Sequence, residues 1–102
     1  MPDVTVVYWR DIPAQVIGRD GRAKVKKELA PRFAKAIDRA AMRAGKGSSD
    51  AYIAEWRREP TLLETDGDLR EIADGEIARL EAEYPDERLR QMIRNHGSNE
   101  PR

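Results

Sequence analysis

The sequence predicts an α+β fold in which a small β-sheet of two to four short strands packs against three to four helices. A β-branched and aromatic run near the start, the turn signals that follow it, and apolar residues at helical spacing further on lead to this prediction. A chain of 102 residues is near the usual size of a single domain. We therefore expect one domain over residues 4–96, followed by a disordered tail over residues 97–102.

The first strand is predicted over residues 4–9, because Val, Thr, Tyr and Trp suit a pleated, half-buried surface. Both faces of this run are nearly apolar, so we expect it to be the central strand. Asp11-Ile12-Pro13 is predicted to break it, because proline lacks the backbone N–H that a sheet needs. Residues 14–18 fit a second short strand, and the Asp20-Gly21 pair is typical of a hairpin turn.

The next segment is open to two interpretations. Residues 23–29 alternate between apolar and charged side chains, which fits a lysine-rich edge strand. Their Lys, Glu, Leu and Ala residues fit a helical turn equally well. Pro31 ends the segment in either case and is well placed to start a helix, whose apolar stripe runs from Phe33 to Ala44 before Gly45.

A second helix is predicted from Ser49 through Arg58, burying Tyr52, Ile53 and Trp56. Residues 61–65 fit a brief strand pairing with the sheet edge. The turn at residues 66–68 then leads into the clearest amphipathic stripe of the chain, from Leu69 to Tyr84. Pro85 is predicted to split this helix from a last one that Gly97 ends.

The charges are segregated although the formal net charge is zero. Residues 19–46 contain ten basic side chains against three acidic ones, whereas acidic residues outnumber basic ones from Gly47 onward. Either the two halves attract each other within one domain, or the basic segment binds nucleic acid. The first interpretation requires no partner.

The residues needed for catalysis or metal binding are scarce. Without cysteine, the chain has no disulfides, zinc thiolates, iron–sulfur ligands or thiol nucleophiles. The single histidine, His96, is expected to interact with a helix dipole, because no sequence feature marks an orienting partner for a catalytic base. Asp66-Gly67-Asp68 lacks the further acidic ligands of a calcium loop, and residues 45–49 depart from the P-loop pattern. We therefore expect no catalytic, metal or cofactor site.

The N-terminus carries neither the basic region nor the apolar stretch of a signal peptide. No apolar run approaches the ~20 residues that a membrane-spanning helix needs. We accordingly expect a cytoplasmic protein with no membrane contact.

Several segments together resemble a known family: VTVVYWRDIPAQVI, AIDRAAMRAG, DAYIAEWRR and ARLEAEY. They are similar to the bacterial virulence factor, or conserved virulence factor, domain family over about Val4 to Leu89. Most of the likeness lies in residues 8–13, followed by Gln15 and Val16. The resemblance implies an accessory role without established catalytic residues. It also implies links to iron–sulfur proteins and to folate- and corrinoid-dependent one-carbon enzymes.

These observations predict a non-catalytic accessory protein that docks on a larger bacterial protein. The predicted partner-binding residues combine the family motif with the basic helix face: Trp9, Arg10, Gln15, Arg32, Lys35, Arg39 and Arg43. For Trp9 itself, core packing is the first interpretation and docking the second. The alternative function is nucleic-acid binding by residues 19–46, although the neutral net charge counts against it.

Overall fold

The computed structural model of the chain describes residues 3–45, 49–62 and 68–98. Its strands are β1 (Asp3–Trp9), β2 (Ile12–Asp20), β3 (Ala23–Glu28) and β4 (Trp56–Leu62). Its helices are α1 (Pro31–Arg43), α2 (Ser49–Ala54), α3 (Leu69–Glu83) and α4 (Asp86–Arg94). The strands form one antiparallel sheet in the order β3-β2-β1-β4, which confirms the α+β class.

Strand β1 lies in the interior of the sheet, as its apolar faces predicted. It pairs with β2 on one side and with β4 on the other, and Val6 lies opposite both Val16 and Glu59. Val4, Val6, Val7 and Trp9 are all buried, so both faces of β1 are covered.

The predicted break at Asp11-Ile12-Pro13 was wrong for its last two residues. The chain reverses at Arg10 and Asp11, and Ile12 and Pro13 already belong to β2 and are buried. The pairing with β1 then shifts register, because Val7 pairs with Gln15 whereas Tyr8 pairs with Pro13. A proline is tolerated at such a bulge, where the ladder is already interrupted.

The ambiguous segment 23–29 forms strand β3 up to Glu28. A hairpin joins β2 to β3 through Gly21, whose φ of 60° lies in the left-handed region that favours glycine. Lys27 reaches helix α3 and lies 3.6 Å from the Asp74 carboxylate. Side chains alternate between the two faces of a strand. Lys24 and Lys26 therefore lie on the face opposite to Lys27, and both are exposed.

The predicted second helix was wrong beyond Ala54. Residues 56–58 are in strand β4 instead, and Ile53 is 65% exposed rather than buried. The physical reason is that β1 offers a row of backbone donors and acceptors, and pairing with β4 satisfies them. The expected strand at residues 61–65 therefore begins earlier, at Trp56, and residues 63–65 lie outside the described residues.

The helices build the core against the sheet and against each other. Helix α3 packs across β2 and β3, and helix α1 packs against α4 and β2. A Cβ atom on Gly18 would lie 3.0 Å from Leu69 Cδ1, which shows how closely the start of α3 approaches β2. Pro85 separates α3 from α4 as predicted, and Asp68 caps α3 by accepting a 2.8 Å hydrogen bond from the Arg70 N–H. Residues 66 and 67 lie outside the described residues.

Two residues of the predicted tail, Gly97 and Ser98, lie within the described residues and contact the rest of the fold. Gly97 and Ser98 are buried, and the Gly97 N–H donates to the Met92 carbonyl at 2.7 Å. The Gly97 carbonyl accepts from the Asp11 N–H at 3.0 Å, which joins the end of the chain to the β1–β2 turn. Residues 99–102 lie outside the described residues.

Replacing Gly97 by alanine should destabilise the fold by about 2–4 kcal/mol, because φ is 89° there and the new methyl group would lie 2.8 Å from Trp9 Cζ3. Gly21→Ala is the matched control, since its φ is also positive but its Cβ would meet nothing within 4 Å. We expect the control to cost only about 1 kcal/mol. Urea unfolding of the two variants measures the difference, and equal losses would contradict the close contact with Trp9.

Candidate interaction surface

The predicted partner-binding residues lie in separate regions of the fold. Trp9 and Arg10 lie at the end of β1, Gln15 lies in β2, and the four basic residues of the predicted stripe lie along α1. The structure divides them further into side chains used within the fold and side chains that are exposed.

Trp9 belongs to the core. Its side chain is 0% exposed, and its indole Nε1–H donates to the Tyr52 carbonyl at 3.0 Å. The Tyr52 ring stacks on it at a centroid distance of 5.9 Å. The core-packing interpretation of Trp9 is therefore confirmed, and its side chain presents no surface to a partner.

Arg10 is held by contacts within the chain. It has a φ of 53°, and its guanidinium donates to the His96 carbonyl at 2.9 Å. Its Nε lies 3.3 Å from the Glu55 carboxylate, and its side chain is only 14% exposed. The neighbouring Asp11 accepts from Arg57 at 3.2 Å and from the Ser98 hydroxyl at 3.3 Å. The Trp9-Arg10-Asp11 segment thus ties together the start of β4 and the turn after α4.

His96 contributes to this corner through its backbone. It follows the last residue of α4 by two positions and has a φ of 60°. Its carbonyl is the acceptor for Arg10, and its N–H donates to the Ile93 carbonyl at 3.1 Å.

Arg32 is also used within the fold. Its guanidinium donates to the carbonyls of Tyr84 and Glu81, the latter at 2.9 Å, and so satisfies carbonyls at the end of α3. It also lies 3.4 Å from Asp86 and over the Phe33 ring at 4.4 Å. Arg32 therefore joins α1 to the α3–α4 junction.

The rest of the basic stripe is exposed. Lys35 and Arg39 line a groove of about 260 Å³ between α1 and α4, together with Arg90 from α4. Arg43 lies beside Arg39 at the C-terminal end of α1, around an adjoining depression. We call Lys35, Arg39, Arg43 and Arg90 the basic groove. None of these four forms an ion pair with another described residue.

The floor of the basic groove is apolar. Ala36, Leu89 and Ile93 line it, and Met42 at its end is 73% exposed. Exposed methionine is adaptable and is common on protein-binding surfaces. Cations around an apolar floor can contact a partner through both charge and burial.

Sequence reasoning found Lys35, Arg39 and Arg43 through their helical spacing but missed Arg90. The only signal for Arg90 is its position in the last helix, and nothing local indicates that α4 lies against α1. Gln15, the remaining predicted residue, lines a separate cavity of about 480 Å³ together with Tyr52 and Trp56. That cavity is also bordered by Glu28 and Asp38, which sequence reasoning did not single out.

The basic segment 19–46 does not form one continuous surface in its described part. Lys27 and Arg32 form ion pairs with Asp74 and Asp86 of the acidic half, so the two halves of the chain do attract each other at these points. Lys24 and Lys26 lie on a sheet face, whereas the α1 cations lie along the basic groove. Lys46 is outside the described residues.

The arrangement of titratable groups bears on metal binding and on two tyrosine pKa values. Those residues contain no group of three or more His, Asp or Glu side chains placed to hold a metal ion. Burial raises the pKa of Tyr8, and the nearby Tyr84 and Glu59 raise it further. Burial also raises the pKa of Tyr52, with a smaller contribution from the Asp38 carboxylate.

The family model for the virulence factor domain matches residues 7–93. The chain belongs to the virulence factor family. The matched region begins in β1 and ends in α4, so it includes the Trp9-Arg10-Asp11 corner and the basic groove. No curated protein and no solved structure matches the chain. In the described residues of this virulence factor domain, no helix is long and apolar enough to cross a membrane.

The division between internal and exposed cations can be tested by stability. Arg10→Met removes contacts of a mostly buried guanidinium with His96 and Glu55, and should cost about 1–3 kcal/mol. Arg39→Met changes an exposed side chain that forms no ion pair with another described residue, and it should alter the free energy of unfolding by less than about 0.5 kcal/mol. Urea unfolding measures both. If Arg39→Met lowers the free energy of unfolding as much as Arg10→Met does, then the Arg39 side chain also stabilises the fold, which would contradict this division.

Proposed function

We propose that this virulence factor domain is a non-catalytic accessory protein whose basic groove binds an acidic segment of a larger bacterial protein in the cytoplasm. The single observation that carries the proposal is the basic groove itself. Lys35, Arg39, Arg43 and Arg90 form no ion pair with the described residues and surround an apolar floor. Arg10 and Arg32, by contrast, are both used inside the fold.

The chemistry of the groove favours a partner segment with Asp or Glu residues next to one or two apolar side chains. Exposed ion pairs contribute little individually, so charge should determine mainly the rate and selectivity of docking. Burial of apolar groups against Leu89, Ile93 and Met42 would supply affinity. The family resemblance directs the search for the partner first to one-carbon enzymes that use folate or corrinoids, and to iron–sulfur enzymes. A chain without cysteine cannot supply thiolate ligands for an iron–sulfur cluster itself.

The proposal predicts that one defined protein is captured from the native host by the immobilised chain, and that capture depends on the basic groove. The triple variant Lys35→Glu, Arg39→Glu, Arg43→Glu should lose that protein, because it reverses the charge that attracts an acidic segment. Quantitative mass spectrometry of nuclease-treated lysates measures the loss.

The matched control reverses three exposed charges elsewhere: Arg19→Glu, Lys24→Glu, Lys26→Glu. It changes the net charge by the same amount but leaves the groove intact, so capture should persist. Equal loss in both variants would show a general charge effect and contradict the groove. Repeated recovery of no protein at low salt would contradict the accessory function.

Nucleic-acid binding remains the alternative function, and a gel-shift titration at two salt concentrations tests it. Binding through phosphate contacts must weaken steeply as salt rises. We expect no shift at physiological salt. A sequence-independent shift that disappears in the Arg19, Lys24, Lys26 variant but persists in the groove variant would favour the alternative.

A further inference from the structure

We propose that the cavity between α1, α2 and the first residue of β4 binds an arginine side chain of the partner protein. In this site Tyr52 and Trp56 contact the guanidinium plane, and Glu28 and Asp38 balance its charge. We call these four residues the aromatic pocket. The inference rests on the proposed function, to which it adds a specific contact on the other side of α1.

The cavity has the size and lining of a site for an organic group. Its volume of about 480 Å³ lies within the ~300–1,000 Å³ that is usual for ligand pockets. Apolar side chains, including the buried Ile37, form part of its wall. Besides Tyr52 and Trp56, its polar lining residues are Gln15, Glu28 and Asp38, and no lysine or arginine is among the described residues that line it.

The aromatic wall is held in place before any ligand arrives. Tyr52 and Trp56 meet edge to face, with centroids 5.7 Å apart and planes at 79°. Behind Tyr52, the buried Trp9 stacks on its ring and donates to its carbonyl at 3.0 Å. Since this arrangement is fixed by core contacts, binding would require little reordering of the two rings.

Most aromatic rings of this protein are covered by an arginine guanidinium group. The chain has two Trp, three Tyr and one Phe. Four of these six rings each lie under an arginine guanidinium at 4.1–5.4 Å: Trp9 under Arg10, Phe33 under Arg32, Tyr8 under Arg57 and Tyr84 under Arg88. The remaining two, Tyr52 and Trp56, have no such cation among the described residues. They are the two rings that line the cavity.

The two carboxylates, Glu28 and Asp38, also favour a cationic ligand. Neither Glu28 nor Asp38 forms an ion pair with another described residue. Asp38 is close enough to Tyr52 to add to the effect of burial in raising the pKa of the Tyr52 hydroxyl. A cation beside two rings and two carboxylates gains both a cation–π contact and charge neutralisation.

Arginine fits this combination better than the other cations of a protein partner. Its guanidinium is planar, stacks on aromatic faces and is weakly hydrated, whereas the lysine ammonium is a compact and strongly hydrated charge. A hard metal cation would require several oxygen ligands, and the described residues contain no group of three or more His, Asp or Glu side chains placed to hold one.

The aromatic pocket and the basic groove are neighbours on either side of α1. Asp38 borders both the cavity and the depression that contains Arg39, Met42 and Arg43. A partner segment that crosses α1 can therefore place acidic side chains in the groove and an arginine in the pocket. Such opposite charges would fix the direction in which the segment lies.

The test uses the full chain labelled with ¹⁵N and two blocked tripeptides, Gly-Arg-Gly and Gly-citrulline-Gly. Citrulline has the shape of arginine without its charge. We expect the arginine peptide to shift the Trp56 indole signal and the Tyr52 amide signal, leaving the buried Trp9 indole nearly unchanged. Binding of the citrulline peptide should be weaker by about fivefold, because the cation–π and carboxylate contacts are lost.

Matched variants locate the binding. Asp38→Asn and Glu28→Gln keep the side-chain shapes and should each weaken the arginine peptide by about threefold, whereas Glu71→Gln on exposed α3 should not. Equal binding of both peptides, no shift at millimolar arginine peptide, or shifts spread over all acidic surfaces would overturn the proposal. So would shifts of Tyr52 and Trp56 on concentrating the protein alone, since a second copy would then be the occupant.

A separate titration distinguishes this proposal from the proposed function. A blocked peptide rich in Glu and Leu should shift signals of Lys35, Arg39 and Ile93 and leave Trp56 in place. If it binds and the arginine peptide does not, only the pocket is wrong. If only the arginine peptide binds, the pocket stands and the basic groove is not the docking site for acidic segments.

Discussion

The burial of Trp9 at the end of the central strand β1 positions most of the features described above. Its ring contacts Tyr52 of α2 on one side and approaches Gly97, after α4, on the other. The chain reverses direction directly after Trp9, which pairs with Ile12 across the turn. Arg10 lies in this turn with a φ of 53°. The guanidinium of Arg10 then reaches His96 and Glu55, so three distant parts of the sequence meet at this corner.

At this corner, Trp9 and Arg10 of the family motif make contacts within the fold. Core contacts fix Trp9 and Arg10, and through them the orientation of α4 and α2. Helix α4 in turn forms one wall of the basic groove, and α2 carries Tyr52 into the aromatic pocket. The surfaces that we propose for the partner are thus built by residues that do not touch it.

In the folded structure, the cations of the basic half fall into two groups. Some cations of the basic half pair with the acidic half, as Lys27 does with Asp74. Others, such as Lys35 and Arg39, have no ion-pair partner in the described residues and remain exposed. A zero net charge therefore coexists with a local basic groove, and the total charge of a domain is a poor guide to its surface.

Features encoded by local pattern could be predicted from the sequence, and features created by pairing could not. The central position of β1 followed from its two apolar faces, and the exposed stripe of α1 followed from helical spacing. Residues 56–58 were expected to be helical, but they form part of β4, which pairs with the edge of β1 that β2 leaves open. The aromatic pocket was missed for the same reason, because Glu28 and Trp56 come together only when β3 and β4 join one sheet.

Arginine footprinting with phenylglyoxal, before and after addition of the captured partner, tests whether the basic groove is the docking surface. We expect Arg39, Arg43 and Arg90 to react in the isolated chain and to become protected in the complex. Arg10 and Arg32 should react slowly in both, because the fold already uses their guanidinium groups. Protection of Arg19 and Arg58 on the sheet instead, with Arg39 and Arg43 still reactive in the complex, would contradict it.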